Sequence, residues 1–291
     1  LKNPPEHPTP TLCQLGGSAV KDNKIMKAED IYILVGCEES QAIANAFRLL
    51  GFSAFSCDLK PCSGGHPEWH IQGDVFNAVS CGYENNASTI QKPIITQNGQ
   101  IYWIKKWNAA IFHPDCTYMT VSGLHWNKHN LERAKKTESS LQFVSDLMAL
   151  DIPCIAIENP IGYISSRIRK PEQIIQPYQF NDDASKATCL WLKGFPLLTH
   201  TGYFPPRIVD GKKRWSNQDD NGQNKLIIDG KWIAFNDPRT KTHRSKTYPG
   251  IASAIAKQWG EYLIKKQAAQ QYNTLLNYGQ LSIFDVLNKA I

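Results

Sequence analysis

The stretch Trp107-Asn-Ala-Ala-Ile-Phe-His-Pro-Asp-Cys-Thr-Tyr-Met119 decides the fold. An apolar run from Ala109 to Phe112 stops at His113-Pro114. Proline lacks the N–H that a sheet ladder needs, so the run reads as a buried parallel strand ending in a loop. Cys116 sits just past that end. In open α/β sheets ligands gather outside the carboxyl ends of the strands, and a cysteine there is in position for covalent chemistry. The alternative is a small apolar side chain near the core.

Working outward, the same pattern recurs. Ile31-Tyr-Ile-Leu-Val35 is a β-rich apolar run, a first buried strand. Ser53-Ala-Phe-Ser-Cys57 is a second, ended by Asp58, and Gly73-Asp74-Val75 follows a short third. The opening stretch is the fourth strand, and Cys154-Ile-Ala-Ile157 is a fifth, closed by Glu158-Asn159-Pro160. Between the first two strands, Ile43, Phe47 and Leu50 share a helix face, and Gly51 supplies the stop. A second amphipathic helix spans about residues 130 to 150, with Leu141, Val144, Leu147 and Met148 on one stripe. Strands alternating with helices predict an α/β fold: a parallel sheet with helices on both faces.

From about residue 161 the pattern loosens into loop or edge strand. Residues 199–247 are polar and rich in glycine, asparagine and lysine, with two hairpin strands expected around Asp229-Gly230. Ile251, Ile255, Trp259 and Leu263 mark a returning helix. The expected organisation is an extended arm (1–29), a core (30–198), a small lobe or long loop (199–247), a returning helix (248–270) and a tail (271–291).

The 291 residues, 42% of them hydrophobic, support a real core. The 32 Lys and Arg against 26 Asp and Glu leave a net charge of +6, compatible with a polyanionic partner. No run of about eighteen apolar residues occurs, which argues against a membrane-spanning helix. The start, Leu1 to Pro8, has no apolar signal core, so a non-secreted protein is expected. The eight irregularly spaced cysteines then read as free thiols.

The strand ends carry the chemistry. A carboxylate at a strand end can accept hydrogen bonds from ribose hydroxyls, which suits Asp58, and Asp74 can accept from an adenine amine. Each can equally be a capping or solvated loop residue. The first turn, Gly36, Cys37, Glu38, Glu39 and Ser40, has a single glycine and is no phosphate cradle. Its two glutamates would repel a pyrophosphate; they suit a cationic ligand portion such as the ammonium or sulfonium of S-adenosylmethionine. They also suit the positive end of a helix dipole. Cys116 and Glu158 close neighbouring strands. A thiol that adds to an electron-poor ring, beside an acid that protonates or hydrogen-bonds a ring nitrogen, is a chemically sensible pair. Asn159 can hold the loop through backbone hydrogen bonds. The plainer reading makes Glu158 a strand-end salt bridge and Asn159 a turn residue before Pro160.

These residues, in this order, resemble a DNA (cytosine-5)-methyltransferase, most of all divergent phage-type members of that family. The family's Pro-Cys and Glu-Asn-Val motifs correspond to Pro114-Asp115-Cys116 and Glu158-Asn159-Pro160. Its cofactor motifs fall on Gly36 to Ser40, Asp58 and Asp74, and its closing Pro-rich turn on Tyr248-Pro249-Gly250. The likeness covers about residues 30 to 200 and 248 to 265, as islands. The chain departs from the family in lacking the glycine-rich first turn. It also reads His-Pro-Asp-Cys-Thr-Tyr where the family has Gly-Gly-Pro-Pro-Cys-Gln. Arg167 and Arg169 are the nearest candidates for the Gln-x-Arg-x-Arg element.

The resemblance implies a Rossmann-like S-adenosylmethionine-dependent methyltransferase sheet with a small inserted recognition lobe. It implies S-adenosyl-L-methionine as cofactor, with Pro249 among its contacts, and DNA as partner. It also implies a cytoplasmic monomer of a bacterial or phage-infected cell. The target cytosine is flipped out; Cys116 adds to carbon 6, Glu158 works at nitrogen 3, and carbon 5 is methylated. Cys116 is then expected to have a lowered pKa. Two other readings keep the fold: a catalytically idle nucleic-acid-binding protein, and a pyrimidine-modifying enzyme using another donor or acting on RNA.

Arg239, Lys241, Arg244 and Lys246 crowd before the returning helix and suit phosphate contacts, as does Arg214 of the lobe with its neighbours Arg207, Lys212, Lys213 and Trp215. A solvated charge run is the plainer reading. Gln280-Leu281-Ser-Ile283-Phe284 resembles the bacterial sliding-clamp-binding pentapeptide, in which the apolar side chains enter a hydrophobic groove. An amphipathic end packing on its own domain is the alternative. Cys62, after Pro61, is a weaker nucleophile candidate. Cys57, Cys62, His66 and His70 have zinc-compatible spacing without a second paired motif, so no metal is expected.

Overall fold

The computed structural model describes residues 27–81, 92–233, 237, 239–240 and 247–277. Its first strands are β1 (Tyr32–Gly36), β2 (Ser53–Asp58) and β3 (His70–Gln72). A small hairpin, β4 (Ile94–Ile95) and β5 (Ile101–Tyr102), precedes β6 (Ala109–Phe112) and β7 (Ile155–Pro160). β8 (Gln173–Ile175) and β9 (Thr188–Lys193) follow. Seven of these form one sheet in the order β3-β2-β1-β6-β7-β9-β8. Neighbours from β3 to β7 pair in parallel, and β9 runs antiparallel to both β7 and β8. This is a mixed α/β protein with a mostly parallel sheet.

The helices are α1 (Ala42–Leu49), α2 (Val75–Ser80), α3 (Val121–Leu124), α4 (Leu131–Ala149), α5 (Tyr163–Arg167) and α6 (Pro249–Asn277). Alternation along the strands sorts the core into two layers. Ile33, Val35, Ala109, Ile111 and Ala156 face Ile43 and Phe47 of α1 and Ile251, Ile255, Trp259 and Leu263 of α6. Leu34, Ala110, Phe112 and Ile157 face Val75 and Val79 of α2 and Leu141, Val144 and Leu147 of α4. Each of the Val, Leu, Ile and Phe side chains among them, fully buried, contributes roughly 1.5–3 kcal/mol before chain entropy is set against it. Helices therefore pack on both faces, as the periodicities predict. No helix among the described residues is long and apolar enough to cross a membrane.

Three details differ from expectation. The stretch after residue 161 holds more sheet than its pattern suggests: β8 is an edge strand, but β9 is an interior strand with Thr188 to Leu192 all buried. Leu50, expected on the buried face of the first helix, lies past its end and is 48% exposed. The returning helix runs on past residue 270 to Asn277, into the stretch expected as tail.

Within 199–247 lie two hairpins, β10 (Arg207–Val209) with β11 (Lys212–Arg214) and β12 (Leu226–Ile228) with β13 (Lys231–Ile233). Their turns, Asp210-Gly211 and Asp229-Gly230, carry positive φ at both central residues, the turn that matches strand twist. Trp215 ties this lobe down. Its ring stacks on Tyr178 at 4.3 Å, and its Nε1 donates to the Phe204 carbonyl at 3.1 Å.

Candidate active site

Strand order reverses direction between β1 and β6: the chain runs outward to β2 and β3 on one side and to β7 on the other. Such a switch point opens a crevice at the carboxyl ends of the strands. There Gly36, ending β1, pairs with Phe112, ending β6. A Cβ on Gly36 would stand 2.6 Å from both the Phe112 ring and Val75, so only glycine lets the two strand ends close up. The next two backbone positions after that closure, Cys37 and His113, begin the turns that line the crevice.

The loop bearing Cys116 is braced from several sides. Asn159 Nδ2 donates to the Pro114 carbonyl at 2.7 Å, and Tyr163 N donates to the Met119 carbonyl at 2.8 Å. Thr120 and Gly162 form an antiparallel bridge between the loops after β6 and β7. Asp115 Oδ1 accepts from Thr117 N at 2.8 Å, and Arg133 of α4 donates to the Thr117 carbonyl at 3.0 Å. Asn159 thus does what the sequence suggests, from a buried position. Pro114 supplies the carbonyl that receives it.

Cys116 itself is half-buried. Burial pushes its thiol pKa up, the charges of Asp115 and Glu158 push further in the same direction, and Lys186 opposes them. The expected lowered value is therefore corrected: carboxylates outweigh the one cation acting on the sulfur, and the resting group is a thiol.

Glu158 is held by a residue that the sequence reading passed over. His113 Nδ1 donates to Glu158 Oε2 at 2.9 Å, with the side chains 11% and 17% exposed. Burial alone would raise the Glu158 pKa, but the His113 hydrogen bond, the charges of Lys186 and His113, and a bond from Thr188 bring it below the usual carboxylate range. His113 is the mirror case: burial works against its charge, yet the bond to Glu158 and the charges of Glu158 and Glu38 leave its pKa raised. A histidine at a strand end, directly before the proline that stops the strand, was the available signal.

The proposed cofactor residues divide by what they already bind. Glu38 is buried, and its carboxylate accepts from Ile43 N at 2.7 Å and Ala44 N at 3.2 Å, the unsatisfied amides of the start of α1. Burial pushes its pKa up, partly offset by His113 and those amides. Asp74 is the N-cap of α2, accepting from Phe76 N and Asn77 N. Asp58 Oδ1 turns back to Lys60 N at 3.0 Å; its other oxygen makes no hydrogen bond among the described residues. Cys37 takes a left-handed φ of 59°, and its thiol pKa is pushed up to about 12 by burial and by Asp58, Asp74 and Asp115. Those three carboxylates therefore border the same end of β1. Glu39 and Ser40 are half-buried in the turn, which Gln41, also left-handed, closes with bonds to Ser56 and to the His66 backbone. Pro249 is exposed at the start of α6, where Gly250 N donates to Asp182 Oδ2 at 3.0 Å.

The arginines assigned to phosphate hold protein partners. Arg167 pairs with Glu138 at 3.1 Å, Arg169 with Glu172, and Arg239 with Asp237 at 2.8 Å. Arg207 pairs with Asp220 at 2.5 Å, and Arg214 donates to the Asp220 carbonyl at 3.0 Å. Trp215 is a packing residue rather than exposed surface. Lys241, Arg244, Lys246 and the segment Gln280, Leu281, Ile283 and Phe284 lie outside the described residues.

Cys57, Cys62, His66 and His70 each have separate company. His70 bonds Ser56 Oγ and the Lys60 carbonyl, His66 pairs with Glu68, Cys62 N donates to Gln97, and Cys57 is buried on β2. No three His, Cys, Asp or Glu side chains converge in a metal-ligand group among the described residues. In comparisons with known proteins, no family model and no curated protein matches the chain.

Proposed function

We propose that the chain is a DNA (cytosine-5)-methyltransferase that uses S-adenosyl-L-methionine. The observation that carries this reading is the tie between two neighbouring strand ends: Asn159, next to Glu158, donates to the carbonyl of Pro114, two residues before Cys116. The strand order supports it too. It follows the 3-2-1-4-5 order of Rossmann-like sheets and departs only at the far edge, where reversed β9 is slotted in.

The residues at the ends of β1, β2 and β3 fit the cofactor. A crevice end bordered by Asp58, Asp74 and Asp115 favours a cation and hydroxyl donors and disfavours a pyrophosphate. Asp58 would accept from the ribose diol through its second oxygen. Glu39, not Glu38, is the glutamate left for the cationic portion, because Glu38 is committed to α1. When bound, S-adenosylmethionine supplies an activated methyl group on a sulfonium.

The chain's own residues do the rest. A cytosine turned out of the duplex enters the crevice between the loops after β6 and β7. The Cys116 sulfur forms a bond to carbon 6, and Glu158 places a proton on ring nitrogen 3 as charge builds there. Electron density collects at carbon 5, the position to be methylated. Departure of the carbon 5 proton then restores the ring double bond and expels Cys116. Val121, Trp126 and Ile161 are exposed around the same two loops and offer apolar and aromatic surface to unstacked bases. The basic lobe is the proposed contact to phosphate, and the terminal pentapeptide the proposed link to a sliding clamp.

Tritium release from duplex DNA containing [5-³H]cytosine, with S-adenosylmethionine present, tests the reaction. Wild type is expected to release it and Cys116→Ser is not, while both bind the duplex. Equal release by the variant overturns the reading. Deleting residues 279–291 is expected to abolish capture by a sliding clamp and spare the methylation of free oligonucleotides.

A further inference from the structure

His113 answers to two carboxylates of different elements, one by a hydrogen bond and one by charge alone. Its Nδ1 bonds Glu158 of β7, and the charge of Glu38, in the turn after β1, acts on it from elsewhere in the site. Its other nitrogen, Nε2, is buried and makes no hydrogen bond among the described residues. Glu38 has little freedom to move, because two amides of α1 grip its carboxylate. Lys186 works against the charge of His113 and favours that of Glu158; Cys116 and Cys189 also feel Glu158, Asp115 acts on Cys116, and Glu39 acts on Glu38.

A neutral imidazole that donates from Nδ1 would bury the Nε2 lone pair without a donor, which is unfavourable. A doubly protonated ring instead carries a charge that Glu158 and Glu38 both favour. The position matters because Cys116 rests as a thiol. Its proton has to leave before or as sulfur attacks, and ring nitrogen 3 has to gain one.

We propose that His113 is a positioning residue: as an imidazolium bonded to Glu158 through Nδ1, it fixes Glu158 as the carrier of the Cys116 proton to ring nitrogen 3. This rests on the methyltransferase reading and deepens it. The balance closes within the site. The S–H bond breaks as S–C6 forms, Glu158 takes the proton from sulfur and gives it to nitrogen 3, and the C5=C6 electron pair moves to C4=C5. The C4=N3 pair becomes the new N–H bond at nitrogen 3, so carbon 4 keeps four bonds; Glu158 begins and ends as a carboxylate, and no outside acid or base is consumed.

The test is the pH profile of tritium release by the full chain, for wild type, His113→Gln and Glu38→Gln. Glutamine at position 113 keeps a hydrogen-bond donor and removes the charge, so the Glu158 pKa rises. Release at neutral pH is expected to fall about ten- to a hundredfold, within the range of general acid–base catalysis. The acidic limb of kcat is expected to move upward by about one pH unit, with duplex KM unchanged. Glu38→Gln preserves an acceptor for the amides of α1 and does not touch the Glu158 bond; it is expected to move the limb the same way by less. It carries the test should His113→Gln fail to fold. Lower release with an unmoved limb in both variants means a merely structural histidine and overturns the relay alone. No release by wild type overturns the relay together with the methyltransferase reading.

Discussion

Asn159 Nδ2 donates a 2.7 Å hydrogen bond to the carbonyl of Pro114, and this one contact joins the end of β7 to the loop that carries Cys116. Both groups are buried, so the bond cannot be traded for water without cost. It ties the residue next to Glu158 to a carbonyl two residues before Cys116.

Removing it tests that role. Asn159→Ala leaves the Pro114 carbonyl unsatisfied and is expected to destabilise the fold by about 1–3 kcal/mol. Activity is expected to fall more than the loss of folded protein explains. Urea unfolding beside tritium release by the folded fraction measures both. Full activity in the folded fraction would detach Asn159 from the chemistry.

Gly162 makes the second tie. A Cβ there would run into the Met119 carbonyl, against which the loops after β6 and β7 are bridged. Gly162→Ala is expected to push the two loops apart, costing about 1–3 kcal/mol as an overpacked site. Thermal unfolding should show a lower Tm, and release should drop because Cys116 and Glu158 separate. Unchanged Tm would mean that the loops accommodate a methyl group freely.

The His113–Glu158 pair gives stability a definite pH dependence. The His113 pKa is raised on folding, so its contribution is fully present below about pH 6.5 and is lost as pH rises through the raised folded value. The Glu158 pKa is lowered, so its contribution is present above about pH 4.3 and is lost as pH falls through the depressed value. Glu38 acts with the opposite sign. Its raised pKa means that deprotonation costs stability as pH climbs above the ordinary carboxylate range. The stability gap between wild type and His113→Gln is therefore expected to be widest near pH 5–6 and to shrink toward pH 9. Urea titrations across that range measure the gap, and a constant gap contradicts the charge assignment.

Trp215 anchors the lobe through its stack on Tyr178 and its bond to the Phe204 carbonyl. Trp215→Ala is expected to cost about 3–5 kcal/mol, as for other large buried aromatics. If the lobe reads DNA, duplex affinity and its salt dependence should both weaken. Retained affinity with a steep salt dependence would move phosphate recognition to another surface.

Much of this site was legible in the chain itself. β1, β2, β6 and β7 are short apolar runs bounded by polar residues, and chain order alone brings Cys116 and Glu158 to adjacent tips. What escaped was non-local. Thr188-Cys-Leu-Trp-Leu192 is as apolar as any parallel strand, and nothing in its periodicity says that it runs backward between β7 and β8. His113 meets a partner 45 residues away, a pairing that the sheet creates. The carboxylates at positions 38 and 74 were visible, but their commitment to the helix starts of α1 and α2 depends on backbone geometry. Arg167, a candidate for the Gln-x-Arg-x-Arg element, meets Glu138 from 29 residues away, whereas the partner of Arg169, Glu172, is only three residues on.

The central claim is that Cys116 attacks an everted cytosine, and nucleoside mass spectrometry tests it most directly. Duplex DNA incubated with the full chain and methyl-labelled S-adenosylmethionine should yield labelled 5-methyl-2′-deoxycytidine, and the Cys116→Ala protein should yield none. Unmodified cytosine from wild type that binds both duplex and donor, or label transferred equally by the variant, would contradict it.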